Sequence, residues 1–245
     1  MLETYKKWYT PSLSREFEML VFGYDGYPVL LFPTSLGRYY QYKDFKLLET
    51  VAPFLEAGKI KIYTPDGIDA ESWYNKSIHP ADRAKTHMAY ERLIMEEVLP
   101  LAMRETGRGK VCVGGCSFGG YHAANLAFRH PEKIGYVVTM GAAFDIKQFL
   151  DGYYDDNCYF NNPVDYVANV PDSEYLSAMR RMGIVLGTGE RDICLGSNRF
   201  FSDILSRKAI PHWLDVRPGA DHDWPVWRDM FPTYIRIMLQ KEGML

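Results

Sequence analysis

The sequence predicts an α/β protein, with a mostly parallel central sheet, helices on both faces and antiparallel strands at the N-terminal edge. Short apolar runs alternate with stretches of helical periodicity along most of the chain, an order typical of parallel sheets covered by helices. The first 33 residues instead have the pattern of strands and turns, which predicts the antiparallel edge. A length of 245 residues without repeats or linkers predicts a single domain over residues 1–245.

The predicted strands are short apolar or alternating segments bounded by turn residues. Residues 29–32 are continuously apolar, as expected of a strand covered on both faces, whereas residues 59–63 alternate between apolar and polar side chains. The segments with one of these patterns are 16–22, 29–32, 59–63, 110–114, 136–140, 184–187 and 212–216. Helical segments between most of them supply the crossovers that a parallel sheet needs.

The predicted helices carry apolar residues at a spacing of three and four positions. Pro100 lies inside one of them and should kink it or end it early, because proline has no N–H to donate. The helices are predicted over 43–57, 80–104, 118–129, 198–208 and 230–241. Residues 145–180 are less regular and rich in Tyr, Asp and Asn, and the part from about 149 to 175 is a candidate for a small cap.

Composition excludes several classes of protein. The formal net charge is −3, from 28 basic and 31 acidic residues, so the chain lacks the basic footprint of a nucleic-acid-binding protein. The longest apolar runs fall short of the roughly 20 residues of a membrane helix, and no apolar stretch follows the N-terminal lysines as in a signal peptide. The four cysteines lack the paired spacing of a zinc site or disulfide framework. We therefore expect a cytoplasmic protein without a metal, a nucleic-acid partner or a membrane partner.

The segment from Gly115 to Gly119 has the pattern G-x-S-x-G, with its serine at Ser117. A buried strand is predicted before it and a helix after it, the context in which a tight turn exposes a nucleophilic serine. Glycines flank the serine because side chains there would collide with the neighbouring strand and helix. The N-terminus of the following helix offers free N–H groups to a developing oxyanion. Ser117 is therefore the predicted nucleophile.

A serine nucleophile needs a base, and His222 is the predicted one. In this architecture the chain order is serine, acid, histidine, and His222 follows the last predicted strand and precedes the closing helix. The other histidines after Ser117 fit less well. His130 lies at a helix end, His212 at a strand start, and His122 too close in sequence to turn back as a base.

The acid that orients the base should lie on the loop after the strand 184–187, because catalytic side chains converge at the carboxyl ends of parallel strands. Asp192 and Glu190 both lie on that loop. We predict Asp192, because the side chains of Ile193 and Cys194 are expected to anchor it against the body of the protein. Glu190 is the alternative.

Two backbone N–H groups are needed to bind the oxyanion. One is predicted at Phe118, directly after the serine. The other should come from the loop that follows the strand 29–32. Within that loop we predict Ser35, with Leu36 as the alternative.

The stretch from Gly115 to Lys133 resembles the esterases of the α/β-hydrolase superfamily, which include S-formylglutathione hydrolases (esterase D), feruloyl esterases and mycolyltransferases. It covers the serine turn, its helix and the following His-Pro turn. Residues 187–192 and 221–227 resemble the acid and histidine loops of that family. The resemblance spans about residues 29–239 and implies an α/β-hydrolase fold with no cofactor. Where the family often carries His-Gly, this chain has Pro33-Thr34.

These features predict a serine carboxylesterase that hydrolyses a small-molecule ester through an acyl-enzyme intermediate. An acyltransferase would use the same three residues, and a non-catalytic binding protein would keep the same fold, so both are alternatives. Aromatic residues make up 15% of the chain and cluster near the predicted cleft, for example in residues 39–42, 73–74 and 224–227. Such walls predict a pocket for short acyl groups rather than long chains.

Overall fold

Eight strands form one sheet in a computed structural model that describes residues 2–245. Their order across the sheet is β1-β2-β4-β3-β5-β6-β7-β8. In chain order they are β1 Glu3–Thr10, β2 Arg15–Phe22, β3 Tyr27–Phe32, β4 Ile60–Pro65, β5 Val111–Cys116, β6 Ile134–Met140, β7 Gly183–Gly189 and β8 Trp213–Arg217.

The pairing directions confirm the predicted fold class. Strand β2 is antiparallel to both β1 and β4, which makes the N-terminal edge of the sheet antiparallel. All other neighbouring strands are parallel. Parallel strands end at one edge of a sheet, so the loops that follow β3, β5, β6, β7 and β8 meet there.

The helices cover both faces of the sheet. They are α1 Gln41–Asp44, α2 Ala52–Glu56, α3 Pro80–Leu93, α4 Leu99–Thr106, α5 Phe118–Arg129, α6 Asp156–Tyr159, α7 Pro163–Asn169, α8 Glu174–Arg180, α9 Leu195–Arg207 and α10 Trp224–Lys241. Among residues 2–245, every helix is too short or too polar to cross a membrane.

Strand β3 shows why the central strands are apolar throughout. Successive side chains of a strand point to opposite faces. Leu30 accordingly belongs to the core cluster that includes residues of α3, α4, α5, α7 and α9, while Leu31 belongs to the cluster that includes residues of α1, α2 and α10. Both side chains are buried, and each such burial contributes about 1.5–3 kcal/mol.

The predicted helix over 43–57 is instead three short pieces: α1, a 3₁₀ turn at Leu48–Val51, and α2. Lys46 has a left-handed backbone with φ 60°, which ends α1. Pro53 lies in the first turn of α2, where a missing N–H leaves no hydrogen bond unmade. The apolar spacing correctly indicated the buried face of this segment but not its continuity.

The predicted helix over 80–104 is longer than expected and is not broken at Pro100. A π-helical turn, Ile94–Val98, joins α3 to α4, and helical structure continues to Thr106. Pro100 has no N–H for the carbonyl four residues earlier, and the wider turn before it accommodates this loss.

The closing helix and the segment 145–180 also differ from the sequence-based prediction. Helix α10 begins at Trp224 rather than at residue 230, because the Asp223 side chain accepts the Trp224 N–H at 2.7 Å and Pro225 suits a first turn. Residues 145–180 contain the three short helices α6, α7 and α8.

Glu105 joins three elements near the antiparallel edge, and we expect Glu105→Gln to make stability less dependent on pH. Glu105 accepts hydrogen bonds from Lys6 at 2.8 Å and from Tyr63 at 3.0 Å, and pairs with Lys61 at 2.9 Å. Burial opposes ionisation of this carboxyl, but these partners outweigh it and lower its pKa to about 2.

A depressed carboxyl pKa stabilises the fold fully above its ordinary value of 4.5, and the contribution is lost as pH falls toward 2. Glu105→Gln should lower the free energy of unfolding by about 1–2 kcal/mol at pH 7, allowing for partial exposure. Urea unfolding should show a smaller decrease at pH 4. Glu96→Gln, at an exposed position of the same helical segment, is the control. An equal cost of Glu105→Gln at both pH values would contradict the argument.

Candidate active site

Ser117 lies on the sharp turn between β5 and α5. Its backbone has φ 54° and ψ −124°, a strained conformation for a residue with a side chain. A Cβ on Gly115 would lie 2.3 Å from the backbone of Gly119, and one on Gly119 would lie 2.1 Å from the Phe32 carbonyl oxygen. Both glycines are therefore required by backbone contacts, and the turn projects the serine at the carboxyl edge of the sheet.

Three predicted site residues are joined by two hydrogen bonds. His222 Nδ1 lies 2.8 Å from Asp192 Oδ1, and His222 Nε2 lies 3.0 Å from Ser117 Oγ. A carboxylate only accepts, so His222 Nδ1 carries the hydrogen and Nε2 is left to accept from the serine hydroxyl. The histidine ring is also held at its edge by Trp227, with ring centroids 5.0 Å apart.

Asp192 is the carboxylate in contact with His222, and its side chain is 1% exposed. Burial opposes its ionisation, but the hydrogen bonds from His222 and from the Cys194 N–H at 2.7 Å outweigh burial and hold its pKa below the usual range. The expectation that Ile193 anchors this loop is wrong, since that side chain is 84% exposed. The loop is held instead by backbone bonds such as Asp192 N–H to Gly189 C=O.

The other carboxylates near His222 have different partners. Glu190 accepts the Gly219 N–H at 2.9 Å. Asp221 pairs with Arg191 at 2.9 Å, and Asp223 caps α10. None of these three bonds reaches His222, so the geometry favours Asp192 over Glu190 as its partner.

Within residues 34–37, the turn directly after β3, one N–H has no acceptor. The Thr34 N–H bonds to Gln41 Oε1 at 2.9 Å, the Leu36 N–H to Asp69 Oδ2 at 3.0 Å, and the Gly37 N–H to the Thr34 carbonyl at 2.8 Å. Among the bonds between residues 2–245, the N–H of Ser35 has no acceptor, and neither has that of Phe118. These are the two amides predicted to bind an oxyanion.

Tyr74 connects this loop to the serine turn. Its hydroxyl bonds to Ser35 Oγ at 2.7 Å, and its ring packs edge-on against Phe118 with centroids 5.5 Å apart. Phe149 packs against both rings at 4.8 and 5.2 Å. The free amides of Ser35 and Phe118 are therefore beside one aromatic cluster.

Helix α1 fixes the start of the same loop through two adjacent side chains, those of Gln41 and Tyr42. Gln41 Nε2 donates to Thr34 Oγ1 at 2.8 Å, in addition to accepting the Thr34 N–H. The buried hydroxyl of Tyr42 donates to the Phe32 carbonyl and accepts the Cys116 N–H at 3.0 Å. Tyr42 thereby links the ends of β3 and β5.

The cysteines near the serine do not resemble nucleophiles. Cys116 and Cys112 are fully buried, and burial raises the pKa of both thiols. Cys194 is partly buried, and burial together with the charge of Asp192 raises its pKa to about 11.

Asp192, Cys194 and His222 form the one group in the described residues whose spacing could hold a metal ion. Each places one potential ligand atom within 4.8 Å of the others.

Sequence reasoning missed Asp69 and Gln41, and it placed Tyr74 near the cleft only as one of its aromatic residues. They contact the loop 34–37 from positions that no local motif connects with it. His122, which lies on the helix after Ser117, bonds through Nε2 to Asp69 Oδ1 at 2.8 Å and packs against Phe118 with ring centroids 5.1 Å apart. Only the fold brings these residues together.

Comparison with known proteins identifies the family. The family model described as Putative esterase matches residues 23–237. A search of curated proteins gives no match. Among solved structures, the chain is similar to a ferulic acid esterase, with a TM-score of 0.77, 19% identity and 96% of each chain covered.

Two further structures are similar over nearly their whole length. An S-formylglutathione hydrolase from Agrobacterium tumefaciens has a TM-score of 0.73 at 13% identity, with 96% of this chain and 93% of that chain covered. MPT51 (FbpC1) of Mycobacterium tuberculosis has a TM-score of 0.71 at 15% identity, with 97% and 98% covered.

The class defined by these matches is the hydrolases that act on ester bonds, built on an α/β-hydrolase fold. The family match covers most of the chain, so the protein belongs to this esterase family. The resemblance noted in its sequence is thereby confirmed.

Proposed function

We propose that the protein is a serine carboxylesterase that hydrolyses a small-molecule ester through an acyl-enzyme. The observation that carries the proposal is the hydrogen-bonded series Ser117–His222–Asp192, with bonds of 3.0 and 2.8 Å. It lies at the carboxyl edge of the sheet, beside two amides without acceptors. Membership of the esterase family supports the reaction class.

In the proposed mechanism Ser117 Oγ attacks the ester carbonyl carbon while its proton passes to His222 Nε2. The carbonyl oxygen becomes an oxyanion, which accepts hydrogen bonds from the N–H groups of Phe118 and Ser35. Asp192 holds His222 in the tautomer with hydrogen on Nδ1 and stabilises the imidazolium that forms.

The oxyanion then collapses and expels the alcohol, which takes its proton from His222. This leaves Ser117 as an ester of the acyl group. His222 next removes a proton from water as the water attacks the acyl carbon. A second collapse releases the acid while His222 returns that proton to Ser117 Oγ.

The hydrogen bonding of the loop 34–37 supports Ser35 rather than Leu36 as the second donor. The Leu36 N–H is already bonded to Asp69, and a second strong bond from the same hydrogen would weaken the first. The Ser35 N–H is free of such a partner in the described structure.

The proposal is tested with a chromogenic short-chain ester such as p-nitrophenyl acetate, with and without a primary alcohol as acceptor. A serine esterase should release nitrophenol and acetic acid at a rate that the alcohol leaves unchanged. Accumulation of the new ester would show acyl transfer. Absence of any turnover together with absence of labelling by a fluorophosphonate would show a binding protein.

We also propose that the site prefers short acyl groups. The rings of Tyr74, Phe118 and Phe149 pack against one another beside the serine turn, with centroids 4.8–5.5 Å apart, and fixed rings there would limit the room for a long acyl chain. Rates with p-nitrophenyl esters of two to twelve carbons should fall beyond about eight carbons, our rough figure for what a closed pocket of a few hundred Å³ holds. A rate that rises steadily past that length would contradict the preference.

The remaining parts of the proposal concern organisation. We propose that residues 1–245 act as one domain, in which the segment from about 149 to 175 forms a small cap. The contact of Phe149 with Phe118 and Tyr74 supports this placement at the start of the segment. A cytoplasmic location remains a prediction from the sequence.

A further inference from the structure

A buried carboxylate outside the proposed catalytic residues bonds to a neighbour of each half of the proposed oxyanion site. Asp69 follows β4 and is 2% exposed. Its Oδ2 accepts the Leu36 N–H at 3.0 Å, and its Oδ1 lies 2.8 Å from His122 Nε2. Burying a charge is costly unless it is paired and hydrogen-bonded, and each oxygen of Asp69 has one such partner.

On one side, Asp69 holds the loop that carries the Ser35 amide. Leu36 adopts a left-handed backbone with φ 57°, which costs free energy for a residue with a side chain. The bond from its N–H to Asp69 holds that conformation. It also occupies the Leu36 N–H, so that the neighbouring Ser35 N–H is the one left for a ligand.

On the other side, Asp69 holds the helix that carries the Phe118 amide. His122 lies on α5, one turn beyond the serine turn, and is 5% exposed. Its ring packs edge-on against the Phe118 ring with centroids 5.1 Å apart. A carboxylate only accepts, so His122 Nε2 carries the hydrogen of this bond.

A second contact reinforces the same connection. A Cβ on Gly67 would lie 2.5 Å from the Gly37 carbonyl oxygen, so the backbone before Asp69 packs directly on the loop. Asp66 accepts the Tyr39 N–H at 3.1 Å. The segment 66–74 therefore bonds to residues 35–39 through three of its side chains, those of Asp66, Asp69 and Tyr74.

We propose that Asp69, acting through Leu36 and His122, is a positioning residue that sets the Ser35 and Phe118 amides at the spacing an oxyanion requires. The inference rests on the proposed function. Asp69 touches no reacting atom in this proposal, and its effect is carried by backbone placement. A misplacement of about 1 Å in such a site lowers rates by about 100-fold.

The kinetic test compares Asp69→Ala and Asp69→Asn with Asn125→Ala. Asn125 is a control of similar burial on α5, and its side chain bonds to His87, Asn161 and Tyr166 but not to the loop. Asp69→Ala should lower kcat about 10- to 100-fold with KM changed less than about twofold, because the lost interaction acts in the transition state. Asp69→Asn should recover most of that loss, because its amide oxygen still accepts the Leu36 N–H.

A transition-state analogue separates positioning from general damage. A trifluoromethyl ketone forms an oxyanion on the serine, so its affinity should fall with Asp69→Ala by the same factor as kcat/KM. Asn125→Ala should leave both within about twofold of wild type. The proposal is overturned if Asp69→Ala matches Asn125→Ala in kcat, or if the whole loss appears in KM.

Hydrogen–deuterium exchange of the loop tests the anchoring without reference to activity. Peptides covering residues 33–40 should exchange faster in Asp69→Ala than in wild type, Asp69→Asn or Asn125→Ala. Unchanged exchange would overturn the anchoring even in an active enzyme. A wild type that fails to hydrolyse any ester would instead overturn the proposed function, while the exchange result still decides whether Asp69 holds the loop.

Discussion

Replacing Ser117 by alanine should abolish ester hydrolysis and leave the fold intact. The Ser117 hydroxyl bonds to His222 Nε2, and the His222 side chain is 18% exposed. Removal of the hydroxyl therefore leaves the histidine nitrogen open to water rather than buried and unpaired. Alanine places the same Cβ as serine in the strained turn, so the backbone cost is unchanged. We expect a loss of about 10³-fold or more in kcat.

Initial rates with a short reporter ester measure this loss, and thermal unfolding measures the fold. Ser206→Ala, an exposed serine on α9, is the matched control and should keep wild-type activity. If Ser117→Ala retained more than a tenth of the wild-type rate, another group would be the nucleophile.

Asp192→Asn should lower kcat by about 10²–10⁴. The asparagine amide group can donate to His222 Nδ1, which stabilises the tautomer with hydrogen on Nε2 and leaves the serine without an acceptor for its proton. Asparagine is nearly the same size as aspartate, and glutamine as glutamate, so altered packing does not explain a loss of activity in Asp192→Asn or Glu190→Gln. Rates are to be compared at equal folded fraction, measured by urea unfolding.

Glu190→Gln is the natural control for this substitution. A glutamine carbonyl can still accept the Gly219 N–H that Glu190 accepts at 2.9 Å, so activity should stay within about twofold of wild type. A larger loss in Glu190→Gln than in Asp192→Asn would identify Glu190 as the acid.

The sheet and the order of the site residues along the chain could be predicted from the sequence because both depend on local patterns. Apolar runs separated by helical periodicity predict parallel strands, and a serine between glycines after a buried strand predicts the turn at Ser117. The proposed acid Asp192 and the proposed base His222 were predicted from their places after later strands. These are properties of neighbouring residues, which periodicity and turn chemistry report.

What could not be predicted depends on contacts between distant segments. The bond from Asp69 to Leu36 spans 33 positions, and no pattern in either segment indicates it. The break in the predicted helix over 43–57 depends on the backbone at Lys46, which apolar spacing does not report. The exposure of Ile193 follows from how the loop after β7 leaves the sheet, and residue type alone predicted the opposite.

The short helix α1 limits how the sequence before it can vary in length. Gln41 bonds to Thr34 at the start of the loop, while Tyr42 bonds to Phe32 and Cys116 at the ends of two strands. Surface loops generally tolerate added residues. The stretch between Phe32 and Gln41 is instead fixed at both ends by the bonds of Gln41 and Tyr42. An insertion or deletion there would break either the bonds to Thr34 or those to the strands. The stretch is therefore constrained in length as well as in composition.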